Sequence, residues 1–533
     1  MMSINLSFNQ VLAVILVGML LVLLITIIVL TSKTLKTVKK FDGLADASYS
    51  VVDSVNGAVD NTVNGIVSSV SNISVNTAKL NAVAAAIIVI EVDRKIRRIK
   101  KKLKKKSGDS QMAKILVNNN GPLHGEVEIS GAKNAVLPLL AATLLTENEC
   151  AIEGVPALAD VQVMKKMLAN YGAKVDDSEP GFVKVCADTI TTVEGDPALV
   201  QEMRASTVAM GPLLARCKKC IMPMPGGCTI GKRPIDLHLK GFKALGATVV
   251  EEEDKVIIDA PNGLKGDAIY LDFPSVGATE NILMAAVLAE GVTIIENAAK
   301  EPEIIDLANL LNKMGAKIKS AGTDMIRIEG VEKLSGAIHE VIPDRIETGT
   351  FMLAAAITRG DVLVKNAIPG HVRPIIAKLK ECGVKVEVQD EGIYVDAREG
   401  ELVATDIKTL PYPGFPTDIQ SPFMAFLTTV KGKSTVRETV FENRFMHVVE
   451  LNRMGADIET ESSREAVING GKPLHGVKVR ATDLRAGAAM VLAGLVASGT
   501  TEVSEIYHIE RGYENFVSKF KSIGADLMKV NED

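Results

Sequence analysis

The sequence predicts an α/β protein assembled from repeated subdomains, on three grounds. One phrase, an apolar helix running into a glycine and then a short strand, recurs at residues 167–173, 244–247, 313–316, 381–384, 453–456 and 522–525. Its spacing of roughly 70 residues is too long for a solenoid repeat and suits a small α/β subdomain. An Ala- and Leu-rich helix precedes the phrase in each unit (137–145, 284–289, 351–357 and 490–497 are examples), and β-rich stretches such as 292–295, 362–364 and 500–503 follow. Alternation of helix and strand with short Gly-marked turns is the α/β pattern. A frame repeated in this way supplies rigidity, and chemistry has to come from the loops that interrupt it.

Residues 1–111 read differently. The run 11–30 is apolar throughout, softened only by Gly18 and Thr26, and it has the ~20 residues a membrane helix needs. A signal peptide fits less well. No basic residue precedes the run, it is longer than an h-region, and Ala45-Asp46-Ala47 lies too far downstream. Lys33, Lys36, Lys39 and Lys40 follow at once, which by the positive-inside rule puts the rest of the chain in the cytoplasm, tethered to the inner face of the membrane. Val52, Val55, Val59, Val63, Ile66, Val70 and Ile73 then step by threes and fours like one face of a helical stalk, which Gly57 and Gly65 weaken. The apolar stretch 82–90 is too short to span a bilayer. The basic run 94–106 reads either as attraction to anionic headgroups or as a solvated linker helix. A new composition opens at Met112.

Composition bounds the rest. The 533 residues have room for about three domains. Trp is absent, aromatic content is 4% and net charge is −5; together these argue against nucleic acid as a partner. Six scattered cysteines do not form a secreted disulfide framework and fit a reducing compartment.

Polar clusters recur where a β stretch meets the next helix: Lys232-Arg233-Pro234, Lys300-Glu301-Pro302, Glu442-Asn443-Arg444 and Glu510-Arg511-Gly512. If the units share a fold, a cleft between two three-unit halves collects several of these corners. The sharpest loop is 222–234, where prolines and glycines surround Cys228, with Lys232 and Arg233 four and five residues on. A neighbouring cation lowers a thiol pKa and suits the group to proton transfer near neutrality. Burial, the commonest fate of cysteine, is harder to reconcile with a Gly- and Pro-flanked loop. Zinc held by Cys217, Cys220, Cys228 and His238 is conceivable on ligand type, but no second pair at zinc spacing exists. The small-residue turn 130–135 enters the first Ala/Leu helix and presents Lys133 beside free N–H groups suited to an anion, and Arg204 could join it. Asp418 either caps the helix that follows it or is a carboxylate held for proton abstraction by the stiffening of Pro411, Pro413 and Pro416.

From Met112 onward the chain closely resembles the UDP-N-acetylglucosamine enolpyruvyl transferase family. The likeness rests on Ser130-Gly131-Ala132-Lys133-Asn134, on residues 225–231 around Cys228, on 343–349, on 441–445, and on Thr482-Asp483-Leu484-Arg485-Ala486. It implies a two-lobed inside-out α/β barrel of six repeated units, one lobe spanning 133–342 and the other joining 112–132 to 343–533. The implied reaction moves the enolpyruvyl group of phosphoenolpyruvate to the 3-hydroxyl of UDP-N-acetylglucosamine, without metal or cofactor. By the same resemblance Cys228 is the general acid on a closing loop, and Asp418 lies near the attacking hydroxyl. Lys133, Arg233 and Arg511 bind phosphoenolpyruvate, with Asn134 and Arg204 lining the site. Arg233, Pro234, Ile235, Asp236, Leu237, Ser275, Val276, Gly277, Asp418 and Val440 contact the sugar nucleotide, and Asp483 and Arg485 form an acid–base pair behind the reacting groups. Some relatives carry a lysine two residues before the Ser275 position, where this chain has Phe273. The rivals are the sibling synthase acting on shikimate phosphate and a membrane-tethered scaffold that binds the sugar nucleotide without turnover.

Overall fold

The computed structural model of the protein describes residues 113–224 and 235–531, all within the unit Gly108–Asp533. The expected tether, with its run at 11–30, lies outside the described residues. So do Cys228, Lys232, Arg233 and Pro234. Among the described residues no helix is long and apolar enough to cross a membrane.

The six repeat glycines share one backbone geometry. Gly172, Gly246, Gly315, Gly383, Gly455 and Gly524 have φ of 106°, 90°, 104°, 88°, 99° and 94°, a region that costs glycine little and other residues more. Each lies two residues past the end of a helix: Ala159–Asn170, Asp236–Ala244, Pro302–Lys313, Arg373–Glu381, His447–Arg453 and Phe516–Ser522. The closing bonds repeat as well. Ala173 N–H reaches Leu168 O and Gly172 N–H reaches Ala169 O in the first copy; Ala525 reaches Phe520 and Gly524 reaches Lys521 in the last. This is the Schellman ending, which satisfies carbonyls the helix leaves open.

The described strands form six sheets, five of four strands and one of three. Each four-stranded sheet contains one parallel pair and two antiparallel pairs. In one, Ile338–Glu340 runs parallel to Cys150–Glu153, which pairs antiparallel with Phe182–Cys186 and so on to Lys174–Asp176. The three-stranded sheet of Lys219–Pro223, Lys255–Asp259 and Thr248–Glu251 has a parallel bridge from Glu194 to Ile221 where the others have a strand.

The Ala/Leu helices are Lys133–Ala142, Met210–Cys217, Val276–Ala286, Arg345–Ile357, Gln420–Thr429 and Leu484–Gly494. In Arg345–Ile357 every residue after Arg345 is buried, as a helix apolar on all sides must be. Strands such as Ala113–Asn118 alternate buried and half-buried residues and so have one face toward water. The Ala/Leu helices therefore occupy the interior and the sheets the outside, whereas a helix such as Arg373–Glu381 buries only Ile375 and Leu379. Three expected helical runs, 137–145, 284–289 and 490–497, overshoot helix ends at Ala142, Ala286 and Gly494. Most residues beyond stay buried, as in the 3-10 turn Thr143–Leu145, so hydrophobicity does not mark where the helix stops.

Buried apolar side chains fall into two clusters. One runs from Ala132 to Val341; the other joins Ala113–Ile129 to Ile346–Leu527. The two passages between clusters run side by side. Gly131 bridges Pro343, Ala132 N–H donates to Ile342 O at 2.8 Å, and Asp344 N–H donates to Ser130 O at 2.9 Å. Glycine is required at 131 because a Cβ there would stand 2.0 Å from Gly154 O.

Candidate active site

Lys133 begins its helix at this crossing. Its backbone N–H lies 3.3 Å from Asp344 Oδ2, while Asp344 Oδ1 caps the Arg345–Ile357 helix through Ile346 and Glu347 N–H. The Lys133 ammonium pairs with Asp160 Oδ2 at 2.6 Å. The other oxygen of Asp160 accepts Arg511 Nε at 2.8 Å, and Arg511 Nη2 donates to Glu202 O at 3.0 Å. Asp160 is buried. One carboxylate thus holds two cations that lie 378 positions apart in the sequence. Burial holds the Lys133 pKa below its ordinary value; Asp160 opposes that, and the nearby Arg485 and Arg511 add to it.

Asp418 does not cap the following helix, whose N-cap is Ile419. Its Oδ1 accepts Arg444 Nη2 at 2.7 Å, and its Oδ2 accepts Arg485 Nη2 at 2.9 Å and Nε at 3.2 Å. Both arginine side chains are 3% exposed, whereas the carboxylate is 25% exposed, so the acid faces outward from a buried cationic seat. Arg444 also donates to Thr417 Oγ1 at 2.7 Å and lies 5.1 Å over Phe441, while Arg485 lies 5.3 Å over Tyr513. Burial works against the charge of Arg485, but Asp418, Tyr513 and Asp344 outweigh it and raise the pKa. Asp483 and Arg485 meet through the main chain. Asp483 Oδ1 accepts Arg485 N–H at 2.8 Å and Ala486 N–H at 3.0 Å as the cap of Leu484–Gly494, while the guanidinium turns to Asp418.

Apart from Asp418, the described residues matched to the sugar nucleotide lie at two helix starts and one loop. Ser275 caps Val276–Ala286, its Oγ accepting Ala278 N–H at 3.4 Å, and Val276 and Gly277 form the first turn, a place suited to an anion. Ile235, Asp236 and Leu237 open the Asp236–Ala244 helix. Asn281 joins these elements: it donates to Thr207 O at 3.1 Å, meets His238 Nδ1 at 2.9 Å and accepts Gly211 N–H at 2.7 Å. That brings in the 3-10 segment Arg204–Ala209, which Arg204 begins. The loop at Val440 is held by Glu438, buried, whose oxygens accept Val440 and Phe441 N–H at 2.8 and 3.0 Å and the Thr409 and Thr417 hydroxyls at 2.8 Å each. Asn134 is exposed beside Lys133. Among the described residues no cluster of three His, Cys, Asp or Glu could hold a metal.

Sequence reasoning misses Asp160, Glu438 and Asn281, and reaches Arg444 only as part of the polar corner 442–444. Arg444 lies inside the motif 441–445, where nothing local tells it from a solvated arginine. Asp160 opens an ordinary helix and carries no local signal at all.

Residues 117–520 match the family described as EPSP synthase (3-phosphoshikimate 1-carboxyvinyltransferase). The UDP-N-acetylglucosamine 1-carboxyvinyltransferase of Finegoldia magna is 55% identical over 420 residues, 79% of this chain and 99% of that enzyme. The chain belongs to the UDP-N-acetylglucosamine 1-carboxyvinyltransferase family. A second family member, from Caldanaerobacter subterraneus, is 57% identical over 78% of this chain and 99% of its own length, and one from Staphylococcus aureus is 52% identical over 79% and 100%. These carboxyvinyltransferases fit wholly within about four-fifths of the chain. Among solved structures, the enolpyruvyl transferase NikO of Streptomyces tendae superposes with a TM-score of 0.70 at 23% identity, covering 79% of this chain and 99% of that one. EPSP synthase of Acinetobacter baumannii follows at 0.62 and 18%, covering 79% and 100%. At those identities the likeness speaks for the fold, which is that of the enolpyruvyl transferases.

Proposed function

We propose that this protein transfers the enolpyruvyl group of phosphoenolpyruvate to the 3-hydroxyl of UDP-N-acetylglucosamine and releases phosphate, the first committed step of peptidoglycan synthesis. The observation that carries the reading is 52–57% identity across 99–100% of enzymes named for that acceptor. The cation pair at Lys133 and Arg511 and the outward-facing Asp418 supply what the chemistry asks for. We read the two apolar clusters as lobes, 133–342 and 112–132 with 343–533, and the site as lying between them.

In the addition step the sugar oxygen bonds to C2 of the donor while C3 gains a proton. In the elimination step C3 gives up a proton to the thiolate left on Cys228, and the C2–O bond to phosphate breaks to release phosphate. Cys228 delivers the proton to C3, Asp418 receives the one leaving the hydroxyl, and Lys133, Arg233 and Arg511 hold the donor's carboxylate and phosphate. Asn134 and Arg204 line the pocket; Pro234, Ile235, Asp236, Leu237, Ser275, Val276, Gly277 and Val440 seat the nucleotide; Arg485, with its start fixed by Asp483, orients Asp418. Positioned acids and bases supply about 10²–10⁴ each, and fixed cations facing developing charge supply much of the rest. The catalytic region works in the cytoplasm, tethered through residues 11–30.

The test is phosphate release from phosphoenolpyruvate, with UDP-N-acetylglucosamine, with shikimate 3-phosphate, or with neither. Release driven by the sugar nucleotide alone supports the reading. Release driven by shikimate phosphate moves the protein to the sibling activity, and tight nucleotide binding with no release makes it a scaffold.

A further inference from the structure

We propose that Asp160 is a positioning residue for the donor, fixing Lys133 and Arg511 at one point so that both cations converge on a single anion. The inference rests on the enolpyruvyl-transfer reading and deepens it. The geometry is specific. Each carboxylate oxygen serves one cation, Oδ2 the Lys133 ammonium at 2.6 Å and Oδ1 the Arg511 Nε at 2.8 Å. Lys133 and Asp160 belong to helices packed in the first cluster, whereas Arg511 follows the short helix Tyr507–Glu510 in the second.

Physical chemistry says why an anion-binding site keeps a carboxylate of its own. Two cations brought together repel, and water screens them only in part here, with the Lys133 side chain 13% and the Arg511 side chain 34% exposed. Without a counter-charge the ammonium loses its proton or the two side chains swing apart. Asp160 removes both outcomes and leaves donors for a ligand. An ammonium has three N–H groups and Lys133 directs one at Asp160; a guanidinium has five, and Arg511 directs Nε at Asp160 and Nη2 at Glu202 O. The side chain is only 5% exposed, so it stands behind the cations. The site thus keeps a net positive charge, in fixed geometry, for a donor that carries both a carboxylate and a phosphate. Among the described residues, the groups facing Lys133 are Asp160 from the Ala159–Asn170 helix, Arg485 from the Leu484–Gly494 helix and Arg511, with Asp344 at its backbone N–H. Removing the Asp160 carboxylate leaves the ammonium under the influence of the Arg485 and Arg511 guanidinium groups.

The experiment compares the full chain with its Asp160→Asn and Asp160→Glu variants, measuring phosphate release against each substrate from pH 6 to 10. Asp160→Asn is expected to raise KM for phosphoenolpyruvate about tenfold or more, with KM for UDP-N-acetylglucosamine within about twofold. The alkaline limb of kcat/KM for phosphoenolpyruvate moves to lower pH, since Lys133 then deprotonates more readily. Asp160→Glu restores the limb and most of the donor affinity. Equal losses for both substrates, or an unmoved alkaline limb, overturn the proposal and leave Asp160 a merely structural residue. If Asp160→Asn does not fold, Asp160→Glu decides alone: a donor KM and alkaline limb near those of the parent support the proposal, and equal losses for both substrates overturn it. A parent chain that releases no phosphate with the sugar nucleotide overturns the functional reading itself, a separate result.

Discussion

Arg485 binds Asp418 side-on: Nε and Nη2 both point to Oδ2, at 3.2 and 2.9 Å, across 67 positions of sequence. With Arg444 on the other oxygen, the carboxylate can neither rotate nor turn inward. Asp418→Asn keeps the shape and removes the charge. Turnover should fall about 10²–10⁴-fold, with UDP-N-acetylglucosamine still bound and the far-UV circular dichroism spectrum unchanged. Phosphate release within tenfold of the parent would remove Asp418 from the chemistry.

Cys228→Ser should cripple turnover at neutral pH by a comparable factor, since a hydroxyl is a far weaker acid than a thiol, while nucleotide affinity stays near that of the parent. The epoxide phosphonate fosfomycin should alkylate the parent at Cys228. Intact-mass and peptide mass spectrometry with the nucleotide present check this, and an unmodified Cys228 peptide would contradict it.

Glu347 predicts a pH dependence. It is buried at the crossing, accepting Lys519 Nζ at 2.7 Å and Ser130 N–H at 2.9 Å. Burial pushes its pKa up from 4.5 to about 7 despite Lys519. The folded protein therefore holds a proton that the unfolded chain releases near 4.5, so this contribution to stability is complete below that pH. It is lost as pH rises to about 7 and flat beyond. Glu347→Gln removes the slope. Between pH 4.5 and 8 the parent should lose stability relative to the variant, by at most about 3 kcal/mol. Urea unfolding at several pH values reads it, and parallel curves for the two proteins would refute the assignment.

Glu438→Ala strips partners from two N–H groups and two hydroxyls at once. Each polar group left open costs about 1–3 kcal/mol where it stays dry, and water entering the gap offsets part of that. A net loss of about 3–5 kcal/mol is expected, seen as a lower denaturation midpoint. Because Val440 hangs from that carboxylate, KM for the sugar nucleotide should rise more than KM for the donor. The reverse order would place Val440 away from the nucleotide.

The tether is tested by truncation. Residues 112–533 alone should retain kcat and both KM values within about twofold, as expected of an independent domain. The full chain should sediment with membranes and be released by detergent but not by high salt, as expected of a spanning helix and not of charge attraction alone. Release by salt would assign the association to the basic run 94–106.

What can be read from the sequence follows from how local each signal is. Gly172 and its five counterparts end helices by a rule written within four residues, so the repeat is legible in the chain itself. The two-cluster arrangement depends on Gly131 lying against Gly154 and bridging Pro343, contacts over distances that periodicity does not encode. Lys133, Asp418 and Arg511 stand in recognisable motifs. Asp160, which pairs with two of them, is one acidic residue at a helix start among many, and only three-dimensional proximity singles it out. For Asp418 the neighbouring residues allow a helix cap or a held carboxylate, and the choice needs Arg444 and Arg485, which lie 26 and 67 positions away.

The strand Ala113–Asn118 is completed on one side by Thr501–Ser504 and on the other by Asp526–Asn531, the last strand described. During synthesis this strand leaves the ribosome several hundred residues ahead of both partners. The stretch from Ala132 to Val341 can bury its own apolar side chains in the interval, as early-emerging domains do. The opening strand has to wait as an unpaired edge, and such edges invite wrong partners. Biogenesis, rather than the stability of the finished molecule, is then the stage at which a chaperone has most to protect.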